Sequence, residues 1–264
     1  MSLSFLHAIN PLYSISGFVV GLLVGFTGVG GGSLMTPLLV LLFGIHPSTA
    51  VGTDLLYAGL TKIGGSAVHS FNGAVDWKVV RRLASGSAPA ALVTLLGLSY
   101  FGRGSATTQH LISTTLGFAL LLTAVTLIAR KWLIARYGKL MEGASDARIG
   151  WLTTLLGAAL GVLVTVSSVG AGALGVTVLI ILYPKALAVR IVGSDIAHAV
   201  PLTLIAGAGH WWMGSVDFAM LASLLIGSVP GIMIGSHFAS RVPDSVLRPL
   251  MAGTLALVGG KLAL

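Results

Sequence analysis

The sequence contains no cysteine and very few charged residues. Asp, Glu, Lys and Arg make up 8% of its 264 residues, whereas soluble domains carry about 25%. Without cysteine, the protein has no disulfide, no catalytic thiol and no cysteine-ligated metal. Because 55% of the residues are hydrophobic, the chain has too little polar surface to dissolve as an ordinary soluble domain. The composition indicates a protein that lies in a lipid bilayer.

Long apolar runs recur along the chain, for example at residues 83–101, 111–129 and 218–238. Each run is long enough to cross a hydrocarbon core of roughly 30 Å as an α-helix. The runs lack the alternation of polar and apolar residues that a membrane β-barrel requires. The sequence therefore predicts an all-α integral membrane protein.

The net charge of +8 does not indicate a nucleic-acid partner. The 15 Lys and Arg residues are spread between apolar runs instead of forming a patch, and in membrane proteins basic residues mostly mark cytoplasmic loops. Residues 1–11 contain no Lys or Arg. We therefore expect no cleaved signal peptide, because such peptides begin with a basic region, and the first apolar segment should be retained.

The two halves of the chain repeat one another. At an offset of 141 residues, eight of the 21 residues from His69 to Pro89 are identical to those from His210 to Pro230. Each half contains five apolar segments, of which the second is short. The segments cover residues 12–28, 33–45, 48–71, 83–101 and 107–129, and then 149–166, 173–183, 187–212, 218–238 and 246–263. Duplicated membrane segments at a fixed offset are typical of secondary transporters.

We divide the chain into a first transmembrane repeat at residues 1–130, a cytoplasmic linker at 131–148 and a second repeat at 149–264. Because five segments is an odd number, the second repeat is inverted relative to the first. With the linker inside the cell, 12 Lys or Arg lie inside and two outside, as the preference of basic loops for the cytoplasm requires. The predicted fold is an inverted repeat of two five-segment halves, with about eight to ten transmembrane segments in total.

Glycine clusters precede the short second segment of each half. Short, glycine-interrupted segments at matching positions point to a transport site, because a helix that begins inside the protein offers free N–H groups and a positive dipole end to an anion. The short segments are accordingly expected to be either re-entrant or spanning. The predicted substrate-binding residues here are Gly28, Gly30, Gly31, Gly32 and Ser33 in the first half, and Ser168, Gly170 and Gly172 in the second. The alternative is that these glycines only permit close helix packing.

Few ionisable residues lie within the apolar segments, and each is a functional candidate because burying a charge is costly. Lys62 is the one cation placed in mid-membrane, and we predict that it binds the anion. Asp54 and Asp195 are repeat mates and are predicted to carry coupling protons. The alternative for these aspartates is that they cap helix N-termini.

Other polar residues accompany this set. Thr53 and Ser194, which precede the two aspartates, are predicted to bind substrate through their hydroxyls, and His69 and His210 are predicted to assist coupling. An interfacial hydrogen bond is the alternative for both histidines. Two further aspartates at loop ends, Asp76 and Asp217, are predicted to be helix caps. No metal site and no cofactor are expected.

The sequence resembles the sulfite exporter TauE/SafE family of permeases. The resemblance lies in the glycine-rich run at residues 25–32, in the motif Ala-Val-Gly-Thr-Asp at 50–54, in Gly-Ala-Val-Asp-Trp at 73–77, and in Gly-Ser-x-Pro at 86–89 and 227–230. It covers nearly the whole chain. It implies a multi-pass protein of a prokaryotic plasma membrane that moves sulfur-containing anions such as sulfite and organosulfonates.

These observations predict a proton-coupled secondary transporter for a small anion, most simply an oxidised sulfur anion. A passive anion channel remains an alternative. An intramembrane hydrolase would need a Ser–His pair, for which Ser167 or Ser168 with His198 or His210 are the candidates. No Gly-x-Ser-x-Gly or His-Glu-x-x-His motif accompanies them, so we expect no enzyme. The direction of transport is left open, and a homo-oligomer is compatible with the sequence.

Overall fold

The structure, a computed structural model, describes residues 9–27, 32–71, 73–100, 106–238 and 244–263. All regular structure in these ranges is α-helical. The ten helices described are α1 (Pro11–Thr27), α2 (Gly32–Phe43), α3 (Pro47–Phe71), α4 (Trp77–Tyr100), α5 (Ala106–Met141), α6 (Asp146–Ser167), α7 (Ala173–Leu182), α8 (Ala188–Trp212), α9 (Phe218–Phe238) and α10 (Asp244–Ala263). Five of these described helices (α4, α5, α6, α8 and α9) are long and apolar enough to cross a membrane. The predicted all-helical membrane fold is confirmed.

Each predicted apolar segment corresponds to one helix, and the second helix of each half is short, with 12 residues in α2 and 10 in α7. The largest difference concerns the linker. The fifth segment was expected to end at residue 129, but α5 continues to Met141. Seven of residues 130–141 are Arg, Lys, Leu or Met, which favour helix once a helix is under way. Only residues 142–145 between the halves are not helical.

Helices α3 and α8 pack against each other in the middle of the bundle. Small residues allow their neighbours to approach closely. A Cβ atom added at Gly52 in α3 would collide with the carbonyl oxygen of Ser215, and one added at Gly193 in α8 would collide with that of Ala74. The contact at Gly52 joins α3 to the segment that precedes α9. The contact at Gly193 joins α8 to the segment that precedes α4. Close backbone approach of this kind is a common basis of helix packing in membranes.

Tertiary contacts recur at the offset found in the sequence. The backbone N–H of Asp217 donates to Thr53 Oγ1 at 3.0 Å, and the N–H of Asp76 donates to Ser194 Oγ at 2.8 Å. Residues 53 and 194, like residues 76 and 217, are 141 positions apart. The helix pairs follow the same rule, since α1 packs along α9 and α6 packs along α4.

One end of the bundle is basic. Lys78 and Arg82, near the start of α4, form ion pairs of 2.9 and 2.6 Å with Asp146 at the start of α6. Arg82 also donates to the hydroxyl of Tyr183, which follows α7, at 3.3 Å. The starts of α4 and α6 and the end of α7 therefore lie together, and we call this the basic end.

The opposite end gathers the other helix termini. The side chain of Gln109, at the start of α5, donates to Ser48 Oγ at 2.8 Å and accepts from the Ser48 backbone N–H at 3.2 Å. Ser48, at the start of α3, lines a small cavity with His210 and Ser215, at the end of α8. Helix α8 begins shortly after α7 ends at the basic end, and His210 lies near the other end of α8. These residues therefore mark the far end of the bundle.

The short helix α7 does not continue across the bundle. After α6, the chain breaks at Ser168, Gly170 and Gly172, which have φ angles of 60°, 128° and 115°. Glycine adopts such angles without steric penalty, whereas the positive φ angle of Ser168 carries a steric penalty. Helix α7 then returns toward the basic end, where the hydroxyl of Tyr183 lies 2.9 Å from Thr153 Oγ1. Helices α6 and α7 form a hairpin, and the helix break predicted in the second half is confirmed.

Helices α1 and α2 form a second hairpin that enters from the far end. Asn10, just before α1, donates its backbone N–H to Ser223 Oγ near the start of α9 at 3.1 Å. Helix α2 ends shortly before Ser48, which marks the far end. The glycines predicted to break this hairpin, Gly28, Gly30 and Gly31, lie outside the described residues.

Candidate functional site

The two hairpins meet at Asp54, a fully buried residue of α3. Thr36, near the start of α2, donates its hydroxyl to Asp54 Oδ2 at 2.5 Å. Ser168, at the break after α6, donates its hydroxyl to the same oxygen at 2.9 Å. The other carboxylate oxygen, Oδ1, is buried and has no hydrogen-bond partner among the described residues. One carboxylate therefore joins the first half of the chain to the second.

Asp195, the repeat mate of Asp54, lies against the start of α7. The backbone N–H of Gly172 faces its carboxylate, and a Cβ atom added at Gly175 would collide with Asp195 Oδ1. The backbone N–H of Thr36 faces Asp54 in the same way at the start of α2. The first N–H groups of a helix have no partner within the helix and carry the positive end of its dipole, so each site stabilises a negative charge.

The two aspartates do not cap the helices that carry them. Each aspartate is eight residues into its own helix, α3 or α8, so neither caps the helix that carries it. The carboxylates act instead at the starts of the short helices α2 and α7. Asp76 and Asp217 are confirmed as ordinary caps, since Asp76 Oδ1 accepts from the N–H of Lys78 at 3.0 Å and Asp217 Oδ1 from that of Met220 at 2.9 Å.

Lys62 lies two turns beyond Asp54 on α3 and is partly buried. Its ammonium interacts electrostatically with Asp195 and, less strongly, with Asp54. Within the described ranges, Lys62 forms no ion pair shorter than 4 Å with either carboxylate. The two ion pairs found there both involve Asp146. Lys62 also interacts with His198 of α8. Two acids, one lysine and one histidine thus form a central cluster, which we call the ionisable centre.

The sequence places His198 among the few ionisable residues of the apolar segments, but sequence reasoning gave it no role in substrate binding or coupling. It lies one turn after Asp195, and its Nε2 is 2.8 Å from the hydroxyl of Ser87 in α4. Both side chains are buried. The signal was present, since His198 shares a helix face with Asp195 and Ser87 belongs to the repeated Gly-Ser-x-Pro motif.

The Ser–His pairs proposed for a hydrolase are not formed. Ser167 donates to the carbonyl of Leu163 at 2.6 Å, and Ser168 donates to Asp54. His210 donates its Nε2–H to the carbonyl of Thr165 at 2.9 Å. Neither serine is bonded to a histidine, because each hydroxyl donates to an oxygen acceptor instead.

The other site residues predicted from the sequence lie at contacts between the halves or at a helix start. Thr53 and Ser194 accept backbone N–H groups from the opposite half, so their hydroxyls serve packing between the halves. His69 packs against Gly193 on α8. Gly32 and Ser33 form the start of α2.

A cluster of ionisable groups whose two aspartates are buried, placed where two helix hairpins meet inside a bundle of apolar helices, is the arrangement expected of a membrane transporter. The comparison with known proteins agrees. A family model described as "Sulfite exporter TauE/SafE" matches residues 13–262. The chain belongs to this family of multi-pass membrane transporters.

Relatives in Bacillus subtilis (strain 168) bear similar names. The "Probable membrane transporter protein YjnA" is 40% identical over 252 residues, which cover 94% of this chain and 97% of that protein. The "Probable membrane transporter protein YdhB" is 28% identical over 245 residues, covering 92% and 95%. No solved structure matches the chain. These names describe transporters, not enzymes.

Proposed function

We propose that the protein is a proton-coupled secondary transporter of a small anion, and that the anion is an oxidised sulfur species such as sulfite or an organosulfonate. The observation that carries this proposal is the burial of Asp54 and Asp195 at the starts of the two short helices, with the cation Lys62 two turns beyond Asp54 on the same helix. The sulfur chemistry rests on the name of the family. A prokaryotic plasma membrane is the location that the Bacillus relatives favour.

An inverted repeat, with the halves at residues 1–130 and 149–264, is part of the proposal. In each half one hairpin is followed by three further helices, α3 to α5 and α8 to α10. We count each of these three helices as one crossing of the membrane. Because three, like five, is an odd number, the second half is inverted relative to the first. The paired hydrogen bonds at Thr53 and Ser194 and the entry of the hairpins from opposite ends support this arrangement. Such repeats allow a central site to open alternately to the two sides of a membrane.

The charge of the ionisable centre links anion binding to proton binding. With both aspartates ionised and Lys62 protonated, the three groups carry a net charge of −1, so they repel an anion. Protonating one aspartate makes the set neutral, and protonating both gives +1. An anion is therefore bound together with one or two protons, and by thermodynamic linkage each ligand strengthens binding of the other. The further titratable groups are His198, the fourth member of the centre, and Tyr57, which interacts electrostatically with Asp54.

The starts of α2 and α7 supply the second element of the mechanism. In the ionised state, each aspartate carboxylate is the anion that occupies a helix start. A protonated carboxyl group is a weaker acceptor, because charge-assisted hydrogen bonds are roughly twice as strong as neutral ones. Protonation thus releases N–H groups for the oxygens of the substrate. At Asp54 it also weakens the bonds to Thr36 and Ser168 that hold the two hairpins together.

The proposal is tested with purified protein in sealed vesicles. An inward proton gradient should drive saturable uptake of radiolabelled sulfite or methanesulfonate above the external concentration, and a proton ionophore should abolish it. Chloride is the comparison anion. Uptake that never exceeds equilibrium would indicate the passive channel, and absence of any sulfur-anion flux would refute the proposed substrate class.

A further inference from the structure

His198 and Ser87 form a buried polar pair to which no function has so far been given. His198 lies in α8, and Ser87 lies in α4, 2.8 Å from the Nε2 atom of His198. The exposed fraction is 0% for His198 and 2% for Ser87. A fully buried imidazole needs partners for both of its nitrogens, and Ser87 supplies only one.

The contacts of Ser87 determine which nitrogen carries the proton. A serine hydroxyl has one hydrogen to donate. Among the described residues, the one hydrogen-bond partner of the Ser87 hydroxyl is His198 Nε2. Donation to Nε2 gives the hydroxyl hydrogen an acceptor, whereas the reverse direction leaves that hydrogen without one, so we assign the donor role to Ser87. In the neutral ring the proton then lies on Nδ1. His198 Nδ1 is buried and has no partner among the described residues, so its N–H is a free donor.

His210 provides a contrast. Its Nε2 lies 2.9 Å from the carbonyl oxygen of Thr165, and a carbonyl can only accept. Nε2 of His210 therefore carries the proton, and its Nδ1 presents a lone pair. A neutral His210 offers an acceptor, which an anion avoids, whereas a neutral His198 offers a donor, which an anion requires.

The same position in the first half also carries a polar group. Tyr57 is the repeat mate of His198, and Ser228 is the mate of Ser87. The side chains of Tyr57 and Ser228 face each other. The Tyr57 hydroxyl is likewise buried without a hydrogen-bond partner among the described residues. Both halves thus place an unpartnered polar atom one turn beyond the coupling aspartate.

We propose that His198 is a substrate-binding residue that donates its Nδ1–H to an oxygen of the transported anion, and that Ser87 is a positioning residue that holds the ring in this tautomer. The proposal rests on the function proposed above. His198 follows Asp195 by one helical turn, and its ring interacts with Lys62. The anion would thus contact a fixed positive charge and a neutral donor from different halves of the chain.

Asparagine and glutamine substitutions distinguish the roles of the two ring nitrogens of His198. Asparagine places an N–H where Nδ1 was, whereas glutamine places one near Nε2. His198→Gln should raise the KM for sulfite or methanesulfonate about tenfold or more, as expected for losing a hydrogen bond to a charged group, and His198→Asn should raise it only about two- to threefold. His110→Gln, at an exposed site on α5, is the matched control and should leave KM unchanged.

The role of Ser87 is tested in the same vesicles. Ser87→Ala frees the proton to move to Nε2, so it should raise KM about three- to tenfold with little change in kcat, and Ser87→Thr should restore KM. Thermal unfolding with and without methanesulfonate measures binding independently of transport. If the asparagine and glutamine variants have the same KM, or if Ser87→Ala leaves KM unchanged, the inference is overturned. If the parent protein moves no sulfur anion, the proposed function itself fails.

Discussion

Burying an ionised side chain is costly unless hydrogen bonds or opposite charge replace the lost water. Asp54 and Asp195 satisfy this condition in different ways. Asp54 accepts hydrogen bonds from the hydroxyls of Thr36 and Ser168, whereas Asp195 relies on the start of α7 and on the charge of Lys62. The two repeat mates are therefore not equivalent, because one links the hairpins and the other responds mainly to charge.

Replacing either aspartate with asparagine tests the coupling role. Asp195→Asn should retain substrate counterflow but lose the dependence of flux on the pH gradient, because a neutral amide can no longer exchange a proton. Asp54→Asn should behave in the same way and should also lower stability by about 1 kcal/mol, since its hydroxyl donors lose a charged acceptor. Counterflow and pH-driven flux are measured on the same vesicles. Full pH dependence in both variants would leave the aspartates as structural groups only.

The Lys62→Gln variant tests whether the positive charge of Lys62 contributes to substrate binding. Losing a hydrogen bond or close charge interaction with the anion should weaken substrate binding by about 1–3 kcal/mol, which corresponds to roughly 5- to 150-fold in Kd. Lys78→Gln is the control, because Lys78 is exposed and paired with Asp146. Substrate binding as tight as that of the parent would place the anion site away from Lys62.

At the scale of helices, the starts and ends were largely predictable, because apolar runs and glycine clusters are local signals. The direction of the short helices was not. Whether α7 crosses the membrane or turns back depends on contacts between residues far apart in sequence, such as Ser168 with Asp54 and Tyr183 with Arg82. Lys62 and both aspartates can be named from the sequence as candidates, because ionisable residues in apolar segments are few. The contact of the carboxylates with the starts of α2 and α7 cannot, because it joins residues far apart in the chain.

The contact between Asp195 and α7 makes a prediction for Gly175. Gly175→Ala places a methyl group where Asp195 Oδ1 lies, so it should displace the carboxylate and lower stability by about 1–3 kcal/mol. Transport should fall with it. Gly97→Ala, in α4 with no atom within 4 Å of the added Cβ, should be neutral or slightly stabilising. Thermal unfolding and flux check both variants, and normal transport by Gly175→Ala would contradict the described position of Asp195.

At the scale of the whole molecule, the inverted repeat predicts that repeat mates face opposite sides of the membrane. The absence of native cysteine makes this test simple. His46 and Leu187 are exposed residues at equivalent positions of the two halves. His46→Cys should react with an impermeant thiol reagent added to intact cells, and Leu187→Cys should react only after the membrane is opened. Labelling of both from the same side would exclude an inverted repeat.

The central claim is that anion and proton move together through one site. Methanesulfonate suits its measurement, because a sulfonate stays ionised near neutral pH and carries no proton of its own. In vesicles that contain a pH-sensitive dye, an inward methanesulfonate gradient without any pH gradient should acidify the lumen. Asp195→Asn should abolish this acidification while methanesulfonate still exchanges. Uptake of methanesulfonate by the parent protein with no change in lumen pH would contradict the account.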